Sequence, residues 1–350
     1  DMTDLTLLVL LCLAPFCWDN KTPFRRNTGA WLMFACLVLL FGLRHYSVGT
    51  DSFNYAFRYE TLTDLEPFET GFRWLIYTLH AVCERYTFLF ISLAALLWGG
   101  LIHFYRKYTA LYWLPVFLFC ALGGVNSVAN NGMRQGAAIA LFLTAVPCAL
   151  QKQWIRYYIW AALAFLFHRS SIFIFPLYFL MQFRFRRRIL IPVFLIFCVI
   201  LAFAEPITHA LFSDYTRYLM EVEQISGGKL VQLALVSCFG LFPFYHHYRT
   251  LSKNPPVKSM LLWMTVLYLL CSWGMYIFDA GGALSRVAWY FFPFVPLNFA
   301  LYISEQPPKT KWLMLIGVIG LIFCYRLGVY YLSDTVSQAD IIYYYKFFWQ

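Results

Sequence analysis

Five arginines, Arg44, Arg134, Arg169, Arg286 and Arg326, stand at or just inside the ends of long apolar runs. A guanidinium is a planar fork that grips phosphate through two parallel hydrogen bonds. At the edge of an apolar span such a charge is costly, so it points into a bundle or a wet cavity. Any one of them can snorkel or pair with an acid. Five together suggest a site for a phosphate group. Four constellations accompany them. Arg44-His45-Tyr46-Ser47-Val48-Gly49-Thr50-Asp51, followed by Asn54 and Tyr55, turns sharply at Gly-Thr-Asp and brings Asp51 near Arg44. The bland alternative is an ion pair that only pins the loop. Glu69-Thr70-Gly71-Phe72 opens a helix that Glu69 can cap. Asn130-Asn131-Gly132-Met133-Arg134-Gln135 is a polar knot at a helix start, where backbone N–H groups and an arginine together make an anion site. Phe167-His168-Arg169-Ser170-Ser171 is a tight turn in which His168, structural if it stood alone, sits beside a guanidinium and two hydroxyls. Asp279-Ala280-Gly281-Gly282 and Arg286 complete the set. No P-loop, GxGxxG or HExxH is present, so nucleotide energy is not implied. The ten cysteines form no CxxC pair, which suggests neither zinc nor a disulfide frame.

The elements that must carry these residues follow from composition. Of 350 residues, 61% are hydrophobic, 21% aromatic and 13% charged, with mean hydropathy +0.62. A soluble domain carries about 25% charge and roughly 45–50% apolar residues. A soluble globule, a disordered chain and a disulfide-stapled secreted fold are excluded. The expectation is an all-α polytopic membrane protein, a single transmembrane domain over 1–350. A crossing helix needs about 20 apolar residues. Spans are expected near 3–18, 28–44, 87–105, 109–125, 132–150, 154–168, 171–183, 189–204, 230–248, 259–278, 287–304 and 312–332. The runs are continuously apolar, unlike alternating barrel strands. No small-residue cleavage site follows the first run, so a cleaved signal is not expected.

Residues 71–86 are different. Phe72, Leu75, Ile76, Leu79, Val82, Cys83 and Tyr86 share one helical face, while Arg73, Tyr77, His80 and Glu84 share another. This predicts an interfacial or re-entrant helix. If it does not cross, alternate loops collect sixteen Lys and Arg against Asp19 and Glu305, and the other side keeps eleven basic and fifteen acidic residues. If it crossed, the Arg184, Arg186, Arg187, Arg188 loop would face outward. The positive-inside rule therefore favours about twelve spans with both termini outside. The long outward segments are then 45–86 and 205–229. The net charge of +10 belongs to the inner loops. Contact with anionic membrane lipids accounts for it, and no nucleic acid is implied.

The same residues carry a resemblance. The sequence resembles the EpsG-type branch of the Wzy polysaccharide polymerases of bacterial envelopes. Arg44…Val48-Gly49-Thr50-Asp51…Asn54-Tyr55 is similar to the family's entry motif, and Glu69…Gly71-Phe72 to its Glu-x-Gly-aromatic step. Asn131…Arg134-Gln135 before an Ala-rich helix is similar to its Arg-Gln motif. Phe167-His168…Ser170 is similar to its Phe-His-x-Ser turn, and Arg286…Tyr290-Phe291 to its late Arg…Tyr-Phe motif. Five weak fragments in order on one membrane face make a specific signal.

The resemblance implies a glycosyltransferase in the bacterial inner membrane with its site facing the periplasm. It would move a growing glycan en bloc from undecaprenyl pyrophosphate to a lipid-linked acceptor repeat unit, as in O-antigen, capsule or exopolysaccharide synthesis. A chain-length regulator is a further candidate partner. Arg44, Arg134, Arg169 and Arg286 would bind the pyrophosphate, where charge grows on the bridging oxygen. Asn54, Tyr55, Asn131, Gln135 and Tyr290 would contact the glycan, and outward Tyr46, Tyr55, Tyr59 and Trp74 offer rings to sugars. Asp51, Glu69 and His168 are the candidate bases. An Asp hard against Arg44 would be a weaker base. That favours His168, with Asp51 orienting. No cofactor is expected, and Mg²⁺ is not required because arginines can replace it. A lipid-linked glycan ligase, a membrane acyltransferase and an oligosaccharide–lipid transporter are the competing readings. The bare spans and absence of an inverted repeat weigh against a transporter.

Overall fold

A computed structural model describes residues 2–18, 23–202, 227–277, 281–333 and 346–349. The expected outward segment 205–229 lies largely outside the described residues, as does Asp279. The described chain is helical, with no strand longer than one isolated bridge between Arg44 and Phe347. Its elements are α1 (Met2–Trp18), α2 (Pro23–Gly42), α3 (Ser52–Thr61), α4 (Thr70–His80), α5 (Tyr86–Tyr108), α6 (Trp113–Phe119), α7 (Met133–Leu150), α8 (Trp154–Phe167), α9 (Leu177–Gln182), α10 (Leu190–Ala202), α11 (Gly227–Arg249), α12 (Pro255–Ile277), α13 (Gly281–Phe291), α14 (Phe294–Ser304) and α15 (Pro308–Ser333).

Among the described residues, seven helical stretches are long and apolar enough to cross a membrane, and three shorter apolar helices accompany them. Large apolar side chains face outward on this bundle, among them Trp31, Leu39, Ile191, Ile196, Leu313 and Ile316. Water would not tolerate such a surface, and lipid does. The chain is a multi-pass membrane protein. Inside, α5 and α7 pack closely. A Cβ on Gly100 would stand 2.7 Å from the Ala140 Cβ, the small-residue contact by which helices pack without a hydrophobic drive between them. Trp98, Trp113, Phe117 and Phe142 fill the space around that crossing.

Several expected spans are not continuous helices. The 109–125 span begins at Trp113, breaks at Leu122 and Gly123, and runs on in wide π turns to Asn131. Gly123 has φ +107, and the Gln232 side chain donates to the Leu122 carbonyl at 2.7 Å, satisfying a group that the break frees. The 171–183 span is a 3₁₀ stretch, Arg169–Ile174, followed by the short α9, with Pro176 between. The 287–304 span divides at Phe292-Pro293, where the Tyr105 hydroxyl donates to the Pro293 carbonyl at 3.0 Å. The amphipathic helix is present but ends at His80, and Tyr86 starts a separate helix. Phe72 and Ile76 are buried and Tyr77 is exposed, as its two-faced pattern predicts, and Trp74, on neither face of that pattern, is exposed as well.

Residues near both described ends lie at one end of the bundle. Arg326 near the end of α15 pairs with Asp4 near the start of α1 at 2.8 Å. The main chain of 346–348 bonds to Leu43 and His45, beyond the end of α2. Both contacts place the described ends at the side carrying the motif loops. All ten cysteines are free.

Candidate functional site

Four of the five motifs are held together by direct contacts around Arg134, and Arg286 joins them through Gln135. Gly132 accepts helix α7, whose first turn presents Met133, Arg134 and Gln135. Arg134 NH1 pairs with Glu69, and its Nε donates to the Tyr55 hydroxyl at 3.0 Å. Its guanidinium lies 4.7 Å from the Phe68 ring centre, a cation–π contact. Glu69 is 6% exposed. It occupies the N-cap position of α4 but makes no side-chain cap. Its second oxygen instead accepts the Arg169 backbone N–H at 3.1 Å. Glu69 thus ties the Arg-Gln helix to the Phe-His-x-Ser turn, and it acts as a strut between motifs. Gly71 permits this, because a Cβ there would stand 2.8 Å from the Leu166 carbonyl oxygen.

Helix α8 stops at Phe167, so His168 lies in the turn beyond it, 3% exposed. His168 Nδ1 is 2.6 Å from Ser170 Oγ, and Ser170 Oγ donates to the Tyr290 hydroxyl at 3.3 Å. With Ser170 donating onward, it accepts the Nδ1 hydrogen, and Nε2 keeps its lone pair. Burial, then Arg134 and Arg286, holds the His168 imidazole well below its usual range. A neutral ring with a free Nε2 can accept a proton.

Asp51 is exposed on the open side of the loop and does not cap α3. Desolvation by the surrounding walls pushes its carboxyl up, against the opposing pull of Arg286 and then Arg134. Arg44 lies beside this stretch, as expected, since it reaches Ser52 next to Asp51, but its bonds run inward rather than to the carboxylate. Arg44 is 1% exposed and turns inward. It donates to the Phe41 carbonyl, to Met133 Sδ at 3.0 Å, and to Ser52 Oγ and the Asn130 carbonyl at 3.4 Å each. It lies 4.4 Å over the Phe90 ring. The argument that Arg44 weakens Asp51 as a base falls with that geometry, because the guanidinium is held by Phe41, Met133, Ser52 and Asn130, and the opposing charges on Asp51 are Arg286 and Arg134.

The other expected residues divide by exposure. Asn54 is exposed on α3, and Arg169 and Arg286 are half-buried at the site. Gln135 is buried, donates to the Arg286 carbonyl and so fixes α13 against α7. Tyr55 and Tyr290 are buried, as is Tyr59, so all three hold neighbours through their hydroxyls and do not offer a ring face to the surface. Tyr46 and Trp74 remain exposed. Asn131 is half-buried, and its Oδ1 and that of Asn130 have no hydrogen-bond partner among the described residues. Two further participants lie outside the motifs' charged positions. Ser52 lies fully buried between Arg44, Val48 and Asn130. Ser170, the serine of the Phe-His-x-Ser turn, is the link from His168 to Tyr290, a role that its place in the motif does not by itself show.

The loop has one further demand. Gly49 has φ +105, and a Cβ there would stand 2.8 Å from both Asn131 Oδ1 and Ser52 Oγ. Gly49→Ala is expected to cost about 1–3 kcal/mol through backbone strain and crowding. The check is thermal unfolding in detergent. An unchanged midpoint would show that the loop has other conformations open to it.

No curated protein and no solved structure matches the chain. The profile of the EpsG family matches residues 30–347, which takes in every residue of the site. With that match over nearly the whole chain, and with all five motifs gathered at one end of a helical membrane bundle, the protein belongs to the EpsG family and has a polysaccharide-polymerase-like role.

Proposed function

We propose that the protein polymerises lipid-linked oligosaccharide repeat units, transferring the growing glycan en bloc from undecaprenyl pyrophosphate to an acceptor repeat unit. The observation that carries this reading is the convergence of Asp51, His168, Arg134 and Arg286, two proton acceptors within electrostatic range of two guanidiniums. The acceptor hydroxyl oxygen bonds to the anomeric carbon of the donor glycan. The bond from that carbon to the bridging phosphate oxygen breaks, and the electron pair leaves with undecaprenyl pyrophosphate. The hydroxyl proton goes to His168 Nε2. Arg286 and Arg169 stand at the half-buried edge where a pyrophosphate would sit, and charge growing there is stabilised by donors already in place. Arg134, held by Glu69 and Tyr55, supplies a fixed positive field between base and leaving group. Arg44 holds the entry loop. Asp51 orients the acceptor from the open side, with Asn54 and Asn131 as polar contacts for sugar hydroxyls.

The surrounding membrane reading is twelve spans in the bacterial inner membrane, with α4 lying at the interface and the site facing the periplasm. It rests on the sixteen basic residues that then fall on the inner side. A chain-length regulator would act from the same outer face.

The test is purified protein in nanodiscs, supplied with a pyrophosphate-lipid-linked repeat unit and no nucleotide. A ladder of products on a gel is expected. Unchanged substrate with folded protein, across several repeat units, would overturn the polymerase reading. Transfer to a lipid A core acceptor alone would replace it with a ligase.

A further inference from the structure

At the opposite end of the bundle a second group of titratable side chains plays no part in that reaction. His246 and His247 lie in the last turn of α11, Lys258 in the first turn of α12, and Asn298 and Glu305 on and just beyond α14. His247, Lys258 and Asn298 are buried. His247 Nε2 lies 3.0 Å from the Asn298 main-chain carbonyl oxygen. A carbonyl can only accept, so Nε2 carries the hydrogen and Nδ1 keeps its lone pair. That Nδ1 is fully buried and has no hydrogen-bond partner among the described residues. Buried acceptors are rarely left so. His246 Nε2 lies 2.8 Å from Glu305 Oε2, and these two side chains, 32% and 30% exposed, open the cluster to water. One ligand atom from each of His246, His247 and Glu305 lies within 4.8 Å of the others.

We infer that His246, His247 and Glu305 form a binding site for a divalent transition-metal ion of the zinc class, which joins the end of α11 to the end of α14. Two neutral imidazoles and one carboxylate are the donors such an ion takes, with water in the remaining position. A ring N–H held by a backbone carbonyl is the usual support of a ligating histidine, because it fixes the tautomer and aims the other nitrogen. His247 has that support already. Lys258 sets the limit on affinity. Its Nζ lies 2.9 and 3.0 Å from the two Glu305 oxygens and donates to Thr250 Oγ1 at 2.7 Å. An entering ion takes one carboxylate oxygen, and Lys258 keeps the other. The ammonium's charge opposes a divalent ion, so the site binds reversibly and exchanges from the open side. The occupant that competes with metal is a water on His247 Nδ1.

The experiment uses the full chain in detergent, without a histidine tag and stripped with chelator. Co²⁺ is titrated while visible absorption is followed, and Zn²⁺ is then added in competition. One equivalent of Co²⁺ with tetrahedral absorption, displaced by Zn²⁺, is expected, together with a metal-dependent rise in thermal midpoint. Glu305→Gln and His247→Ala should each lose the band, and the part-exposed Glu305 position keeps the test valid if the buried His247 variant does not fold. Lys258→Met should bind about tenfold or more tightly, because a like charge is removed. No band and no thermal shift in both the native protein and Lys258→Met would assign the pocket to water. An unchanged band in Glu305→Gln would place the ion elsewhere. Either result overturns the site.

Discussion

Arg134→Ala should reduce polymer formation by about 10²–10³-fold or more, the loss seen when one charge-stabilising donor leaves a preorganised site. The structure adds a second effect. Arg134 is the ion-pair partner of Glu69, which is 6% exposed. Removing one member of a buried pair leaves the other charged and unpaired, at a cost of about 3–5 kcal/mol. A bare alanine variant therefore confuses a lost catalyst with a loosened fold. Arg134→Met combined with Glu69→Gln separates the two, because it removes both charges and leaves no buried carboxylate alone. That double variant is expected to recover most of the thermal stability lost in Arg134→Ala while polymer formation stays absent. If activity returns with the fold, Arg134 is a structural tie and the leaving group is served by other arginines. Arg134→Lys sharpens the distinction further. It keeps the charge but cannot hold Glu69 and Tyr55 at once in the planar geometry that the guanidinium provides.

That double role for Arg134 was only half legible in the sequence. The arginine at the start of an apolar helix marks a functional position, and its place beside Asn130-Asn131-Gly132 marks an anion site. Nothing in the linear spacing shows that Glu69, sixty-five positions away, is its partner. The same limit explains Arg44. From the local turn it should meet Asp51, seven residues on, between the end of one helix and the start of the next. The inward pull of Met133, Asn130 and the Phe90 ring comes from other parts of the chain and turns the side chain away. Helix type was legible because lipid leaves a spanning backbone few choices. Helix breaks were less so, since a break at Leu122-Gly123 survives only because Gln232 of a distant helix satisfies the freed carbonyl. Tyr55 and Tyr59 read as outward aromatics from loop position, yet α3 turns both inward against α4 and α5.

His168→Gln should slow the chemical step by about 10²–10⁴-fold with little change in donor binding, the range for loss of a general base. The sign of the pH dependence follows from the environment. Burial and the fields of Arg134 and Arg286 depress the imidazole, so Nε2 is unprotonated through the neutral range. Activity is then lost only as pH falls through a value below the ordinary imidazole range near 6.5. Asp51 would also produce an acid limb, since its desolvated carboxyl is raised. The two are separated by asking in which variant the limb survives. In Asp51→Asn the limb should persist at reduced rate, and in His168→Gln it should disappear with the rate. The opposite pattern would move the base role to Asp51 and leave His168 as an orienting group. Ser170→Ala adds a finer distinction, because it removes only the hydroxyl that fixes Nδ1 and connects the ring to Tyr290. A loss smaller than that of His168→Gln, with the acid limb displaced, is the result of a base that has kept its nitrogen and lost its tautomer control. An unaltered rate and limb in Ser170→Ala would mean that the ring is held by its burial alone.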